Sequence, residues 1–285
     1  MPRAIRRHNP LVQPILKWAG GKRQLLPEIS KYIPQRITIY YEPFAGGAAV
    51  LFSLQPPKAV INDFNSELAN VYNVIRDCPD ELINDLRTHR NEEDYFYKIR
   101  ELDRTTDFNA LTDIQRASRI IFLNKTCYNG LFRVNQQGQF NAPFGKYKNP
   151  NIVNDVIIRA VCNYLRENDV EILNGDFEVC AENARRGSFV YFDPPYMPLS
   201  DSSNFTGYTL DGFDQNDQVR LKNMCDRLNN RGVKFLLSNS ASPFILDLYR
   251  DFKIEIVGAT RFINSAAEKR GEVDEVLVRN YECEQ

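Results

Sequence analysis

The sequence is poor in the residues that build metal sites and disulfide scaffolds. Its six cysteines form no CxxC pair, and its 285 residues include two histidines, His8 and His89. We therefore expect neither a zinc site, nor a disulfide framework, nor histidine-based acid–base catalysis. No other metal is expected to be required.

Long apolar segments are missing too. No apolar run approaches the roughly 20 residues that a membrane span needs. The N-terminus is basic but has no apolar stretch behind it, so no signal peptide is predicted. We expect a cytoplasmic protein without a membrane partner.

Acidic residues are missing from two stretches, although the net charge is −1. Residues 1–27 carry six basic side chains and no acid, and residues 114–154 carry six more, again without an acid. The second stretch interleaves its charges with aromatic rings and amides, which suits a surface that neutralises phosphates and contacts bases. It predicts a nucleic-acid-binding surface, whereas an ordinary solvated face would normally mix both signs.

Strand and helix patterns alternate along the chain. Strand-like runs occur at 37–41, 59–61, 170–173, 188–192, 233–237, 253–257 and 275–281. An apolar stripe from Leu221 to Leu228 predicts a helix, Asn65 or Ser66 suits a helix N-cap, and Pro79 suits a first helical turn. This alternation predicts an α/β fold with a doubly wound sheet, whose ligands bind at the carboxyl ends of the strands.

The most informative motif is Asp193-Pro194-Pro195-Tyr196, directly after the apolar run 188–192. Proline fixes φ and donates no hydrogen bond, so the carboxylate of Asp193 and the carbonyl of Pro194 become stiff, directed acceptors. Two such acceptors beside a flat ring suit the exocyclic amine of a stacked base. The plainer alternative is a strand that ends in a proline-rich turn.

Three further strand ends suggest a nucleoside pocket. Gly46-Gly47 follows the first strand and lets the backbone approach a ligand, while Asp63 ends the second strand and suits two ribose hydroxyls. Asp176-Phe177 ends the third strand and could bind an adenine amine and cover its ring. The G-x-G-x-x-G phosphate fingerprint is missing, so a nucleoside without a pyrophosphate fits better than NAD. Taken singly, a Gly-Gly pair is usually a turn and a strand-end acid usually a cap.

Residues 126–150 break the alternation. Two polar and aromatic runs flank Asn135-Gln136-Gln137-Gly138, which predicts a hairpin turn. Together with the helices before it, this segment forms an insertion between the second and third strands, and recognition is its expected role.

Five motifs in fixed order resemble the Dam-type DNA adenine-N6 methyltransferases, including the modification enzymes of GATC restriction systems. They are Lys17-Trp18-Ala19-Gly20-Gly21-Lys22, Glu42-Pro43-Phe44-Ala45-Gly46-Gly47, Asn62-Asp63-Phe64-Asn65, the insertion hairpin, and Asp193-Pro194-Pro195-Tyr196. The resemblance covers residues 15–285. It implies a Rossmann-like methyltransferase sheet dependent on S-adenosyl-L-methionine, formed by residues 1–74 and 156–285. The insertion, residues 75–155, would be a mostly helical target-recognition domain carrying a β-hairpin.

The same resemblance assigns roles to residues. Catalysis would involve Asp193, Pro194 and Tyr196. The cofactor pocket would include Trp18, Lys22, Glu42, Phe44, Gly46, Asp63, Phe64, Asp176, Phe177 and Asp193. Double-stranded DNA would be contacted by Lys17, Tyr128, Asn129, Leu131, Arg133, Pro143 and Tyr147, with Arg133 suited to guanine and Leu131 and Pro143 to a thymine methyl.

The expected reaction is direct in-line methyl transfer to N6 of an adenine flipped out of the duplex. The resemblance of the insertion to the family's GATC-recognition hairpin implies that this adenine lies within GATC. The resemblance allows a cognate restriction endonuclease in the same system and implies no stable protein partner, and it leaves a repair or regulatory role open. The residues also leave open a cytosine-N4 methyltransferase, a nicotinamide-dependent oxidoreductase and a non-catalytic DNA-binding module. The segment from Met197 to Phe213, rich in serine and glycine, is interpreted as a mobile lid or, equally, as an irregular surface loop.

Overall fold

A computed structural model describes residues 8–18, 20, 22–135, 137–198, 213–260 and 272–283. Its described strands form one sheet of seven, in the order β3-β2-β1-β4-β5-β7-β6. The strands are β1 Tyr40–Glu42, β2 Lys58–Asp63, β3 Asp169–Asn174, β4 Phe189–Phe192, β5 Lys234–Ser240, β6 Lys253–Thr260 and β7 Glu272–Arg279.

Five neighbouring strands pair in parallel, and among the described strands β7 alone runs in the opposite direction. The first strand lies at the centre, paired in parallel with β2 on one side and β4 on the other. Strand β7 runs antiparallel to both of its neighbours, β5 and β6. The doubly wound, Rossmann-like sheet expected from the sequence is confirmed, and it brings the ends of β1, β2, β4 and β5 to one edge.

Ten α-helices occur within the described residues. They are α1 Leu26–Lys31, α2 Ala49–Leu54, α3 Ser66–Asp77, α4 Pro79–Leu86, α5 Glu93–Glu101, α6 Asp113–Thr126, α7 Asp155–Glu167, α8 Phe177–Glu182, α9 Gln215–Asn230 and α10 Pro243–Leu248. As predicted, the Asn65 side chain caps α3 by accepting from the Leu68 N–H, and Pro79 opens α4. None of these helices combines the length and the apolar character that a membrane span needs.

The strand before the Asp-Pro-Pro-Tyr motif separates two apolar clusters. All four residues of β4 are buried; Phe189 and Tyr191 belong to one cluster, and Val190 and Phe192 belong to the other. The first cluster continues into buried side chains of α4, α5 and α6. The insertion therefore shares this core, its helices α4 and α6 packing on α3 and α4 also packing on α7. Its division from the core at residues 75 and 155 stays a prediction.

The sequence misplaced one strand boundary, whereas antiparallel bridges agree with the predicted hairpin. The first strand starts at Tyr40 rather than at residue 37, because the preceding backbone makes single contacts with the turn at Gly187. The predicted hairpin is held in its described residues by two isolated antiparallel bridges, Cys127 to Phe144 and Val134 to Phe140. A positive φ at Asn129 (58°) bends the chain away from an extended ladder.

Candidate active site

The acid of the Asp-Pro-Pro-Tyr motif lies at the end of β4, where two neighbours bind one of its oxygens. Oδ1 of Asp193 lies 2.8 Å from Nζ of Lys22 and accepts a hydrogen bond of 3.1 Å from Oγ of Ser238. Burial raises the pKa of Asp193 above its usual range, while Lys22 and Ser238 oppose that rise. The carboxylate is thus fixed in orientation before any substrate arrives.

The tyrosine of the motif is also fixed. Its hydroxyl donates a 2.7 Å hydrogen bond to Oε2 of Glu275 on β7, and Nζ of Lys22 lies 4.5 Å from the centre of the ring. Burial, followed by the nearby Asp193 and Glu275 carboxylates, raises the pKa of Tyr196 well above its ordinary value. Tyr196 therefore stays neutral, and Lys22 joins it to Asp193.

The acid at the end of β2 organises the glycine turn after β1. The two carboxylate oxygens of Asp63 accept hydrogen bonds of 2.9 Å from the N–H groups of Gly46 and Asn65. Gly46 has a positive φ of 49°, and a Cβ there would lie 3.0 Å from Cδ1 of Trp18. Only glycine therefore fits this turn without displacing the indole. Next to Asp63, the side chain of Phe64 is 58% exposed.

The acid at the end of β1 points into the protein. Oε2 of Glu42 accepts a 3.0 Å bond from the hydroxyl of Tyr40 and a 3.1 Å bond from the N–H of Leu51 in α2. Burial raises the pKa of Glu42 to about 8. Glu42 is therefore largely protonated at neutral pH, and it is held between Tyr40 and α2.

The third strand end contributes an aromatic wall. Phe44 stacks on Phe177 with ring centres 5.3 Å apart, and Phe213 meets both rings edge-on. Oδ1 of Asp176 caps α8, and its Oδ2 lies 2.8 Å from a guanidinium nitrogen of Arg220. Asp176 is thus engaged by the protein, although the sequence suggested an adenine contact for it.

A buried asparagine connects this pocket to the insertion. The side chain of Asn124 in α6 accepts a 2.9 Å bond from the N–H of Lys17 and donates bonds of 2.8 and 2.9 Å to the carbonyls of Lys17 and Gly130. Beside it, Trp18 stacks on Phe132 at 4.5 Å. The Lys17–Lys22 motif and the insertion therefore share a fixed interface.

Of the residues predicted to contact DNA, four are exposed, two are half-buried, and Arg133 is held by hydrogen bonds to Asn141. Tyr128 is 60% exposed and Tyr147 40% exposed, while Lys17 and Pro143 are also at the surface. Leu131 and Asn129 are half-buried. Arg133 donates from Nε to Oδ1 of Asn141 at 2.7 Å and from Nη2 to the carbonyl of Asn141 at 3.1 Å.

Three basic side chains of the stretch 114–154 lie near acids from other parts of the chain. Arg119 is buried and lies 2.9 Å from Asp103, Arg116 pairs with Glu67, and Lys146 lies 3.9 Å from Glu93. Each acid comes from outside the stretch. Folding therefore supplies acidic partners that are distant in sequence, and the nucleic-acid-binding role of the stretch stays a prediction.

Comparison with known proteins agrees with this geometry. Residues 18–263 match the model of the D12 class N6 adenine-specific DNA methyltransferases. The chain belongs to this family.

Relatives of this methyltransferase span nearly its whole length. It is 46% identical to the Type II methyltransferase M1.LlaDCHI of Lactococcus lactis subsp. cremoris, over 95% of this chain and 96% of the relative. It is 42% identical to the Type II methyltransferase M.MjaIII of Methanocaldococcus jannaschii, over 95% and 99%. A DNA adenine methylase of Serratia marcescens is 34% identical over 92% of this chain and 96% of that protein. The chain is thus an enzyme that methylates adenine in DNA.

Sequence reasoning missed three residues of the methyltransferase site. Ser238 binds Asp193, Glu275 binds Tyr196, and Asn124 joins Lys17 to the insertion. A signal existed for Ser238, because Ser238-Asn239-Ser240 is a polar triplet that ends an otherwise apolar strand. Glu275 and Asn124 carry no comparable sequence signal. Residues 199–212 of the interpreted lid, with Phe205 and Tyr208, lie outside the described residues.

Proposed function

We propose that the methyl donor is S-adenosyl-L-methionine, bound where β1, β2 and β4 end. The main support is the convergence at one edge of a glycine turn, the Asp63 carboxylate and the Asp193 carboxylate. The absence of a Cβ at Gly46 lets the indole of Trp18 pack against the turn, which places an aromatic ring beside the proposed pocket. When bound, the donor supplies a methyl group already activated by its positively charged sulfur.

The residues proposed to hold this donor have different tasks. Asp63 accepts from ribose hydroxyls, and the exposed ring of Phe64 covers the base. Glu42 fixes the floor through its bond to the Leu51 N–H. The remaining contacts are assigned to Trp18, Lys22, Phe44, Gly46, Asp176, Phe177 and Asp193.

The target amine is proposed to lie between Asp193 and Pro194. Adenine N6 is a weak nucleophile, because its lone pair is delocalised into the ring. Oδ1 of Asp193 already binds Lys22 and Ser238. We therefore assign Oδ2 and the Pro194 carbonyl as acceptors for the two N6 protons. Both bonds favour a tetrahedral nitrogen with its lone pair aimed at the methyl group.

The adenine is proposed to leave the duplex and stack on Tyr196. Unstacking and unpairing cost a few kcal/mol, which contacts to the remaining duplex must offset. The bond from Tyr196 to Glu275 supports this role, since it holds the ring in one orientation. The exposed ring of Tyr128 is suited to wedge into the space that the base leaves.

We further propose that the enzyme reads GATC. Two of the five N–H groups of Arg133 are used by Asn141, which leaves donors for O6 and N7 of a guanine. Leu131 and Pro143 offer apolar contacts to a thymine methyl, and Lys17, Asn129 and Tyr147 complete the set. In this proposal residues 75–155 act as a target-recognition unit.

The biological role is proposed to be protection of DNA in the cytoplasm against a cognate restriction endonuclease that reads the same site. The names of two relatives as Type II methyltransferases support it. The nuclease needs no stable contact with this chain, because both proteins act on DNA in turn.

The test is transfer of tritiated methyl from S-adenosyl-L-methionine to matched duplexes that contain GATC or one single-base variant of it. We expect label on N6 of adenine in the GATC duplex and little label on the variants. Equal labelling of all duplexes would remove the GATC proposal. A digest is used to identify the labelled nucleoside, and label on cytosine N4 would contradict the amine assignment.

A further inference from the structure

The backbone around Tyr196 is held by three side chains that carry no role in the reaction as described so far. Nε2 of Gln218 in α9 donates a 3.0 Å bond to the carbonyl of Pro195. Oδ1 of Asn239 accepts a 3.1 Å bond from the N–H of Met197, and Oγ of Ser240 donates a 2.7 Å bond to the carbonyl of Met197. The loop is thus fixed on both sides of the tyrosine.

These three side chains form a connected and fully buried set. Gln218, Asn239 and Ser240 each have 0% exposure. Nδ2 of Asn239 donates a 3.0 Å bond to Oε1 of Gln218, so α9 and the end of β5 hold the loop together. Hydrogen bonds in such a low-dielectric environment are strong when satisfied and costly when a partner is lost.

These three side chains fix the peptide groups on both sides of Tyr196. The carbonyl of Pro195 is bound by Gln218, so the peptide that follows Pro195 has a fixed plane. The peptide after Tyr196 is fixed through the Met197 N–H. Since proline also restricts the φ of residues 194 and 195, little freedom remains between Asp193 and Met197. Strand pairing does not require these side chains, because β5 pairs with β4 and β7 through backbone groups.

We propose that Gln218, Asn239 and Ser240 are positioning residues for methyl transfer. They keep the Pro194 carbonyl and the Tyr196 ring aligned with the Asp193 carboxylate, without touching the adenine. The inference rests on the proposed roles of Asp193, Pro194 and Tyr196, and it extends the site to α9 and to the end of β5.

The test compares Gln218→Met and Ser240→Ala with the wild-type enzyme in single-turnover methylation. Gln218→Met nearly preserves volume and removes both amide bonds, whereas Ser240→Ala removes one hydroxyl. We expect the single-turnover rate to fall about 10- to 100-fold, since small misplacements of reacting groups have effects of that size. Dissociation constants for S-adenosyl-L-methionine and for the GATC duplex should stay within about threefold, because the set lies away from both binding surfaces.

Ser118→Ala is the matched control. Ser118 is equally buried, and its hydroxyl bonds Nε2 of His89 at 3.1 Å within the insertion. Both serine variants should lower the thermal midpoint to a similar degree, but only Ser240→Ala should slow methyl transfer. If Gln218→Met fails to fold, Ser240→Ala alone decides the question.

Two outcomes would overturn the inference. One is an unchanged single-turnover rate in Ser240→Ala, and the other is a rate loss that saturating cofactor or DNA fully restores. Asp193→Ala, measured alongside, separates this failure from that of the proposed function. Lost activity in Asp193→Ala with normal rates in the other variants refutes only the positioning role. Retained activity in Asp193→Ala refutes the proposed site itself.

Discussion

The strand-end edge and the DNA-facing segment of the insertion differ in how complete they are without substrate. At the edge, Glu42, Asp63 and Asp193 are all bound by protein groups at 2.8–3.1 Å. In residues 127–147, the large rings of Tyr128 and Tyr147 face solvent. The comparison teaches that the carboxylates assigned to the pocket are preorganised, whereas the two exposed tyrosine rings assigned to DNA depend on the duplex to complete their contacts.

The largest expected effect comes from breaking the preorganised edge at Asp193. Asp193→Ala should abolish methyl transfer, and Asp193→Asn should keep a little, since its oxygen still accepts one bond. Two acceptors should contribute at least about 1.4 kcal/mol to the transition state, a tenfold effect on rate. Turnover above about a tenth of wild type in the alanine variant would contradict the assigned role.

The stability of the two Asp193 variants needs a separate measurement. The alanine variant leaves the buried ammonium of Lys22 without its carboxylate partner, so it should also lower the thermal midpoint. The asparagine variant keeps one oxygen, which can serve Lys22 in the free enzyme, so it should lose less stability than the alanine variant. Circular dichroism spectra like those of the wild type would show that lost activity does not reflect unfolding.

The next prediction concerns Glu42, the buried acid at the end of β1. Burial raises the pKa of Glu42 from 4.5 to about 8, so the folded protein keeps a proton that the unfolded chain has released over this range. Wild-type stability should therefore fall as pH rises from 4.5 to about 8, by up to about 1.4 kcal/mol per pH unit. Glu42→Gln should remove that contribution. The test measures the thermal midpoints of the wild type and of Glu42→Gln across this pH range. Midpoints that change equally with pH in both proteins would contradict the prediction.

On the reading side, Arg133→Ala should relax discrimination at one guanine and weaken specific binding by about 1–3 kcal/mol. Lys148→Ala, an exposed change in the same acid-free stretch, should weaken binding to all sequences alike and reduce the salt dependence by about one phosphate contact. The measurement is binding to GATC and its single-base variants across a salt series. If Arg133→Ala lowered the affinity for all of these duplexes equally, Arg133 would contact a phosphate rather than a base.

The smallest expected effect lies where the two regions meet. Phe132→Leu removes the stack on Trp18, a loss of about 0.5–1.5 kcal/mol that should weaken cofactor binding about two- to tenfold. Phe96→Leu is the control, since it removes another buried ring of the insertion, packed 5.3 Å from Phe144. Calorimetric titration with S-adenosyl-L-methionine would compare them. Equal affinities in both variants would show that the interface does not support the pocket.

Sequence reasoning succeeded where chemistry follows strand ends. The strand before Asp193 and the turns at Gly46 and Asp63 could be predicted, because apolar runs followed by glycine, proline or acid have a local cause. It failed where tertiary partners decide. Arg119 pairs with Asp103, and Tyr196 bonds to Glu275. Local sequence patterns could not predict these pairings, because each joins residues from different segments of the chain.

The contacts of Asn124 and the stack of Trp18 on Phe132 have a consequence for protein engineering. A chimera that exchanged only the exposed loop, to redirect the enzyme to another site, would keep this shared wall. An exchange of the whole insertion would also replace Asn124 and Phe132, which support the proposed donor pocket. A chimera should therefore take Trp18, Asn124 and Phe132 from the same parent protein.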